Sequence, residues 1–142
     1  PGVELRVVGP LPADMRPLEP YRDRIQLTGR VDQSQIIREM QQAHVLVLPS
    51  VFEGFGLVIV EAMATGLPVI ASTHSAAPEI IREGTDGFVM KPDDIAGLAE
   101  RLEHLRTNRG EAVQLGINAG ARAREFSWDA HRQQLQRILE SL

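Results

Sequence analysis

A chain of 142 residues, 43% hydrophobic, has the length of one compact domain, able to bury about two-thirds of the surface of its unfolded chain. Nineteen acidic residues outweigh 15 basic ones for a formal charge of −4, nearly all the basic residues are arginine, and no basic stripe forms, which excludes electrostatic capture of nucleic acid. No cysteine is present, so disulfides, thiolate catalysis and Cys-based metal sites are excluded; no apolar run spans a bilayer and no signal-peptide pattern occurs, so the expected setting is cytoplasmic.

The chain enters its first strand straight after Pro1-Gly2, as a fragment of a longer protein does. Leu5 to Val8 reads as a parallel strand closed by Gly9-Pro10, followed by a proline-rich loop to Pro17. Gly9 at a strand's carboxyl end permits close approach of a phosphate, and a plain strand-to-loop turn explains it too. A short helix from Leu18 to Arg24 and a strand from Ile25 to Thr28 lead to the loop Gly29-Arg30-Val31. Asp32 to Ala43 reads as a helix with Asp32 or Ser34 as N-cap and Ile36, Ile37, Met40 and Ala43 on one face.

Val45 to Leu48 is a β-branched apolar run, expected to be a strand buried on both faces and ended by Pro49. Glu53-Gly54-Phe55-Gly56 follows, where two glycines let the backbone turn tightly and approach a ligand. An apolar helix from Leu57 to Met63 runs to the stop signal Gly66-Leu67-Pro68. Val69 to Ala71 is a further buried strand, Pro78-Glu79 opens a short helix, and Asp86 to Met90 is the last strand. Asp93 is the expected cap of a helix from Asp94 to Arg106 with the stripe Ile95, Leu98, Leu102 and Leu105. Two more helices are expected, Glu111 to Phe126 and Ser127 to Leu142, the last opened by a Ser127 cap and a Trp128 anchor, with Leu135, Ile138 and Leu142 facing outward. Strands alternating with helices imply an α/β fold with a doubly wound, mostly parallel sheet.

Two carboxylates mark the candidate site. Glu53 precedes the glycine turn, and Glu61 stands among Val58, Ile59, Val60, Ala62 and Met63. An unpaired carboxylate costs several kcal/mol to bury, so Glu61 must be paired, at the surface, or awaiting a ligand. One reading puts Glu61 on a solvated stripe with Glu53 capping the helix. The other has both accepting hydrogen bonds from vicinal sugar hydroxyls beside a helix N-terminus that attracts anions. His74 is either a solvated loop residue or an acid/base group. His44, His104 and His131 show no metal-ligand spacing, and no metal is expected.

Glu53-Gly54-Phe55-Gly56-Leu57 followed by Glu61-Ala62, with Leu48-Pro49-Ser50 ahead of it, resembles the signature of the retaining glycosyltransferases of family 4, or group 1. The resemblance continues through Gly66-Leu67-Pro68-Val69-Ile70-Ala71, Pro78-Glu79-Ile80-Ile81, Gly84-x-x-Gly87-Phe88-Val89 and Phe126-Ser127-Trp128. It implies a Rossmann-like half of a GT-B fold that binds a nucleotide-diphosphate sugar. Glu53 would be the catalytic-site residue on the transferred sugar and Glu61 would hold the ribose. Gly9, Gly54, Phe55, Gly56 and Leu57 would grip sugar and diphosphate through their backbone, and Gly29, Arg30 and Val31 would lie against the base. No cofactor or metal is implied. The acceptor-binding N-terminal domain, a first strand and helix, and an upstream Arg and Lys would lie outside this chain. Alone it is therefore expected to be inactive, the missing domain being its partner; peripheral attachment of the parent to a membrane is compatible with this.

One departure stands out: many relatives carry Gly-Gly where this chain has Ser75-Ala76. That favours the rival reading, a non-catalytic Rossmann-like nucleotide-binding or interaction module. Retention of Glu53, Gly54, Gly56 and Glu61 together argues for the enzyme. A phosphorylase would need a cationic phosphate site, poorly served by the single lysine, Lys91. A hydride-transfer enzyme would need G-x-G-x-x-G after the first strand.

Overall fold

The computed structural model describes residues 3–11 and 14–141. Pro1-Gly2, positions 12 and 13 of the proline-rich loop, and Leu142 lie outside the described residues. The chain divides into two compact units, 1–39 and 40–142.

In the first unit, β1 (Leu5–Val8) pairs in parallel with β2 (Ile25–Gly29), the register shifting where Val8 meets Gly29. Between them, the short helix expected over Leu18 to Arg24 forms as a 3-10 helix that starts two residues earlier, Arg16–Arg24. Pro17 opens it and Pro20 lies inside it; a proline has no N–H for an α-helical ladder, so the tighter, shorter-range pattern takes over. Helix α1 (Gln33–Gln42) begins under Asp32, whose carboxylate accepts from the Gln35 amide at 2.9 Å and from the Ser34 hydroxyl at 2.6 Å. Of the face expected on α1, Met40 is buried and Ile36 half-buried, whereas Ile37 and Ala43 are exposed.

The second unit holds a parallel sheet in the order β3 (Leu46–Leu48), β4 (Val69–Ser72), β5 (Gly87–Met90). All four residues of β4 are fully buried, as its run of apolar side chains demands. Strand β3 is half-buried rather than covered on both faces, because its ladder is to β4 alone among the described strands. Parallel pairing requires crossovers, supplied by α2 (Leu57–Ala64) and α3 (Ala77–Ile80), and α4 (Ile95–Thr107), α5 (Arg109–Ala123) and α6 (Trp128–Glu140) follow. Ile70, Met90, Leu105 and Leu115 form a core cluster, with Phe88, Leu98 and Leu102 packed around it.

Helix α2 ends in a Schellman motif: Leu67 N–H reaches the Ala62 carbonyl at 3.1 Å, and Gly66, at φ +78°, donates to Met63 at 2.9 Å. Gly116 lets α5 pass against that turn. Three expected boundaries shift: Asp94, not Asp93, caps α4, its carboxylate accepting from Gly97 N at 2.9 Å, and α5 both starts earlier, at Arg109, and stops earlier, at Ala123. Ile95, 80% exposed, also leaves the apolar stripe. Trp128 is no anchor here: it is 82% exposed and meets His131 edge-on, while Ser127 caps α6 as expected. No helix among the described residues is long and apolar enough to cross a membrane.

Candidate functional site

The carboxyl end of β3 feeds a loop that turns into α2, and both carboxylates of interest ride on this segment. Gly56 makes the turn with φ +76° and is the N-cap of α2, with no side chain capping the helix end. A Cβ at Gly56 would press on Glu53 Cγ and Ile59 Cδ1, each at 3.3 Å, in a conformation L residues avoid. Gly54 differs: its φ lies outside the left-handed region and the space beside it is open. Only one of the two glycines is thus demanded by the turn itself.

Glu53 is half-buried, its Oε1 accepting from the Gly54 amide at 3.1 Å. It does not cap α2. Glu61 lies with Leu57 and Ala64 on the exposed face of the helix, opposite buried Ile59, Ala62 and Met63. Its charge therefore stays in contact with water, which is why an apolar helix tolerates it. The segment thus presents one carboxylate on each side of an uncapped helix N-terminus. Around them the side chains of Phe55 and Leu57 are also exposed, as are Val51 and Phe52.

A second loop, from β4 to α3, holds this segment in place. Buried Ser72 donates its hydroxyl to the Ser50 carbonyl at 2.5 Å, His74 Nδ1 meets the Val51 carbonyl at 2.7 Å, and Ala76 N–H reaches the Phe55 carbonyl at 3.3 Å. Ser75 donates to the Ser72 carbonyl at 2.8 Å and accepts from Ala77 N–H at 3.2 Å. Ala76 has φ −75°, and no residue other than glycine has positive φ among those described. Ser75-Ala76 in place of Gly-Gly therefore costs no backbone strain. The roles of Ser72 and His74 toward the neighbouring loop were not legible in the sequence; the only signal was a hydroxyl ending an otherwise apolar strand.

Gly9, Gly29, Arg30 and Val31 form a group of their own in residues 1–39. Gly9 N–H donates to the Gly29 carbonyl at 3.0 Å, joining the carboxyl ends of β1 and β2. Both glycines have positive φ, +135° and +69°, with open space where a side chain would project. Arg30 is exposed and Val31 half-buried. Among the described residues, no three His, Cys, Asp or Glu side chains cluster as metal ligands do.

Comparison with known proteins agrees with this parallel α/β, Rossmann-like fold and with the motif. The sequence pattern of the family "Glycosyl transferases group 1" matches residues 1–108, and the chain belongs to that family. Among curated relatives, the amylovoran biosynthesis glycosyltransferase AmsK of Erwinia amylovora is 36% identical over 129 residues, covering 84% of this chain and 31% of AmsK. A D-inositol 3-phosphate glycosyltransferase of Streptomyces scabiei is 36% identical over 107 residues, covering 75% of this chain and 24% of the relative. The chain thus spans a quarter to a third of the length of such relatives. Among solved structures, HepE of Anabaena in complex with UDP superposes over the whole chain and 42% of HepE, with a TM-score of 0.83 and 26% identity. These neighbours share the chain's Rossmann-like α/β fold, the one found in GT-B glycosyltransferases.

Proposed function

We propose that this chain is the donor-binding domain of a retaining family 4 glycosyltransferase, gripping a nucleotide-diphosphate sugar for transfer to an acceptor held by an N-terminal domain. One observation carries the reading: Gly56 opens α2 in a left-handed conformation that leaves the helix N-terminus uncapped between Glu53 and Glu61. Uncapped N–H groups at a helix start attract anions and hydroxyl oxygens, and the helix dipole adds to that attraction. The diphosphate belongs there, with Glu61 one helical turn on, accepting from the ribose hydroxyls, and Glu53 accepting from those of the transferred sugar. Open space at Gly54 leaves room for a sugar against the backbone.

In the transfer step the bond from the anomeric carbon to the diphosphate oxygen breaks, and charge grows on the leaving phosphate. Backbone amides of Phe55, Gly56 and Leu57 stabilise that charge without having to reorganise, and neither a metal nor a cofactor has a part in the scheme. The acceptor hydroxyl attacks the same face, its proton passing to the departing phosphate, so configuration is retained. A cytoplasmic setting supplies such donors, and the acceptor domain closes the cleft against water.

Titration calorimetry of the full-length protein with UDP, GDP and ADP tests the reading, with UDP the first choice because HepE was crystallised with it. Saturable binding of one of them, weakened about tenfold or more in Glu61→Ala, supports it. Absence of binding by all three at millimolar concentration contradicts it and favours a non-catalytic module.

A further inference from the structure

We propose that His74 is a positioning residue for Glu53: with Ser72 it forms a latch that fixes the β3–α2 loop in its working shape before any ligand arrives. The proposal rests on the donor-binding reading for its consequence, and on geometry for the latch itself.

The loop from Pro49 to Gly56 cannot be held by apolar burial, since Val51 is 74% and Phe52 92% exposed. Segments with few buried contacts open easily unless polar bonds restrain them. Here the restraints come from one neighbouring loop and fall on both sides of Glu53 in the chain: Ser72 and His74 hold the carbonyls of Ser50 and Val51, and the Ala76 amide holds that of Phe55. A carbonyl oxygen only accepts, so the imidazole must carry its proton on Nδ1. Ser72 is fully buried and also accepts from His74 N–H at 3.3 Å, so strand β4 anchors the histidine at its backbone while the ring reaches across. Glu61 is outside this arrangement, fixed by α2 rather than by the loop. Ordering a loop in advance removes that cost from binding and keeps a catalytic carboxylate within the narrow range of positions that work. His74 thus acts through Val51 and the loop, touching no substrate.

The test compares His74→Ala, His74→Asn and His74→Gln in the full-length protein. The amide nitrogen of Asn takes the place of ring Nδ1, whereas that of Gln lies one bond further out. In the ligand-free protein, hydrogen exchange at the amides of Gly54, Phe55 and Gly56 is expected to rise about tenfold in the Ala and Gln variants, and to return close to wild type in Asn, the scale of one lost hydrogen bond. With a donor and acceptor, kcat is expected to fall about tenfold in Ala and recover in Asn, while UDP affinity falls by a clearly smaller factor, because the ribose is held from α2 and the Ala76 amide still restrains Phe55. Unchanged exchange in Ala, equal rescue by Gln, or a fall in UDP affinity matching the fall in kcat would overturn the proposal. Should the wild-type protein bind no nucleotide, the donor-binding reading fails by itself, and the exchange rates still decide whether the latch exists.

Discussion

Gly116 of α5 lies so close to Gly66, the left-handed residue that ends α2, that a Cβ on Gly116 would fall inside the van der Waals envelope of the Gly66 carbonyl oxygen. Helix α5 thereby braces the far end of the helix whose near end forms the candidate site. Gly116→Ala is expected to destabilise by about 1–3 kcal/mol, because backbone, not a flexible side chain, must give way. Gly110→Ala, on the same helix with nothing within 4 Å, serves as the control and should be neutral or slightly stabilising. Thermal unfolding of both variants checks the pair.

Gly56→Ala should cost stability by about 1–2 kcal/mol through its left-handed φ, and should weaken donor binding further by pushing on Glu53. Gly54→Ala should leave the melting temperature within a degree or so, since neither φ nor space opposes it, yet weaken binding of the sugar-bearing donor more than that of the bare nucleotide. Thermal melts read alongside titrations with UDP and UDP-glucose separate the two effects.

Asp86 is buried, with its carboxylate accepting from Arg82 N–H at 2.7 Å and lying 3.1 Å from Arg82 Nε. Arg82 also reaches Glu125 at 3.0 Å, tying the turn after α3 to the 3-10 turn that follows α5. Asp86→Ala is expected to cost about 1.5–3 kcal/mol, the scale of hydrogen bonds to a charged group lost from a buried position. Urea unfolding measures it; a change below about 0.5 kcal/mol would show that the pair is merely adjacent.

The Ser34 hydroxyl and then the Gln35 amide hold the Asp32 carboxyl below its ordinary range. A carboxylate whose folded value is depressed contributes its stability above the unfolded value and loses it as pH falls through the folded one. The cap on α1 should therefore persist at mildly acidic pH and release only below the usual aspartate range. The Gln35 amide shift, followed by NMR against pH, should report that low midpoint; a midpoint at or above the ordinary value would contradict the cap.

What the sequence disclosed and what it hid follow from how local each feature is. The Glu53 to Leu57 turn was legible because a left-handed glycine before an apolar run is a local demand, and the helix stop at Gly66 was legible for the same reason. Asp93 and Asp94 are equally good caps by composition, and the turn selects between them: Leu98 N–H bonds back to the Asp94 carbonyl, making Asp94 the first residue in register. Size alone suggests that Trp128 is an anchor, but α6 has no buried residue among those described, and Trp128 stays 82% exposed. The Ser72 and His74 contacts join loops more than 20 residues apart in the chain, and only their meeting in space gives them meaning.

The most direct test of the central claim compares UDP with its 2′,3′-dideoxy analogue on the wild-type full-length protein and on Glu61→Ala. If Glu61 accepts from the ribose hydroxyls, wild type should prefer UDP by about tenfold or more, and the variant should bind both alike at the weaker level. Equal preference for UDP in wild type and variant would contradict that placement of the ribose, and with it the account of the site.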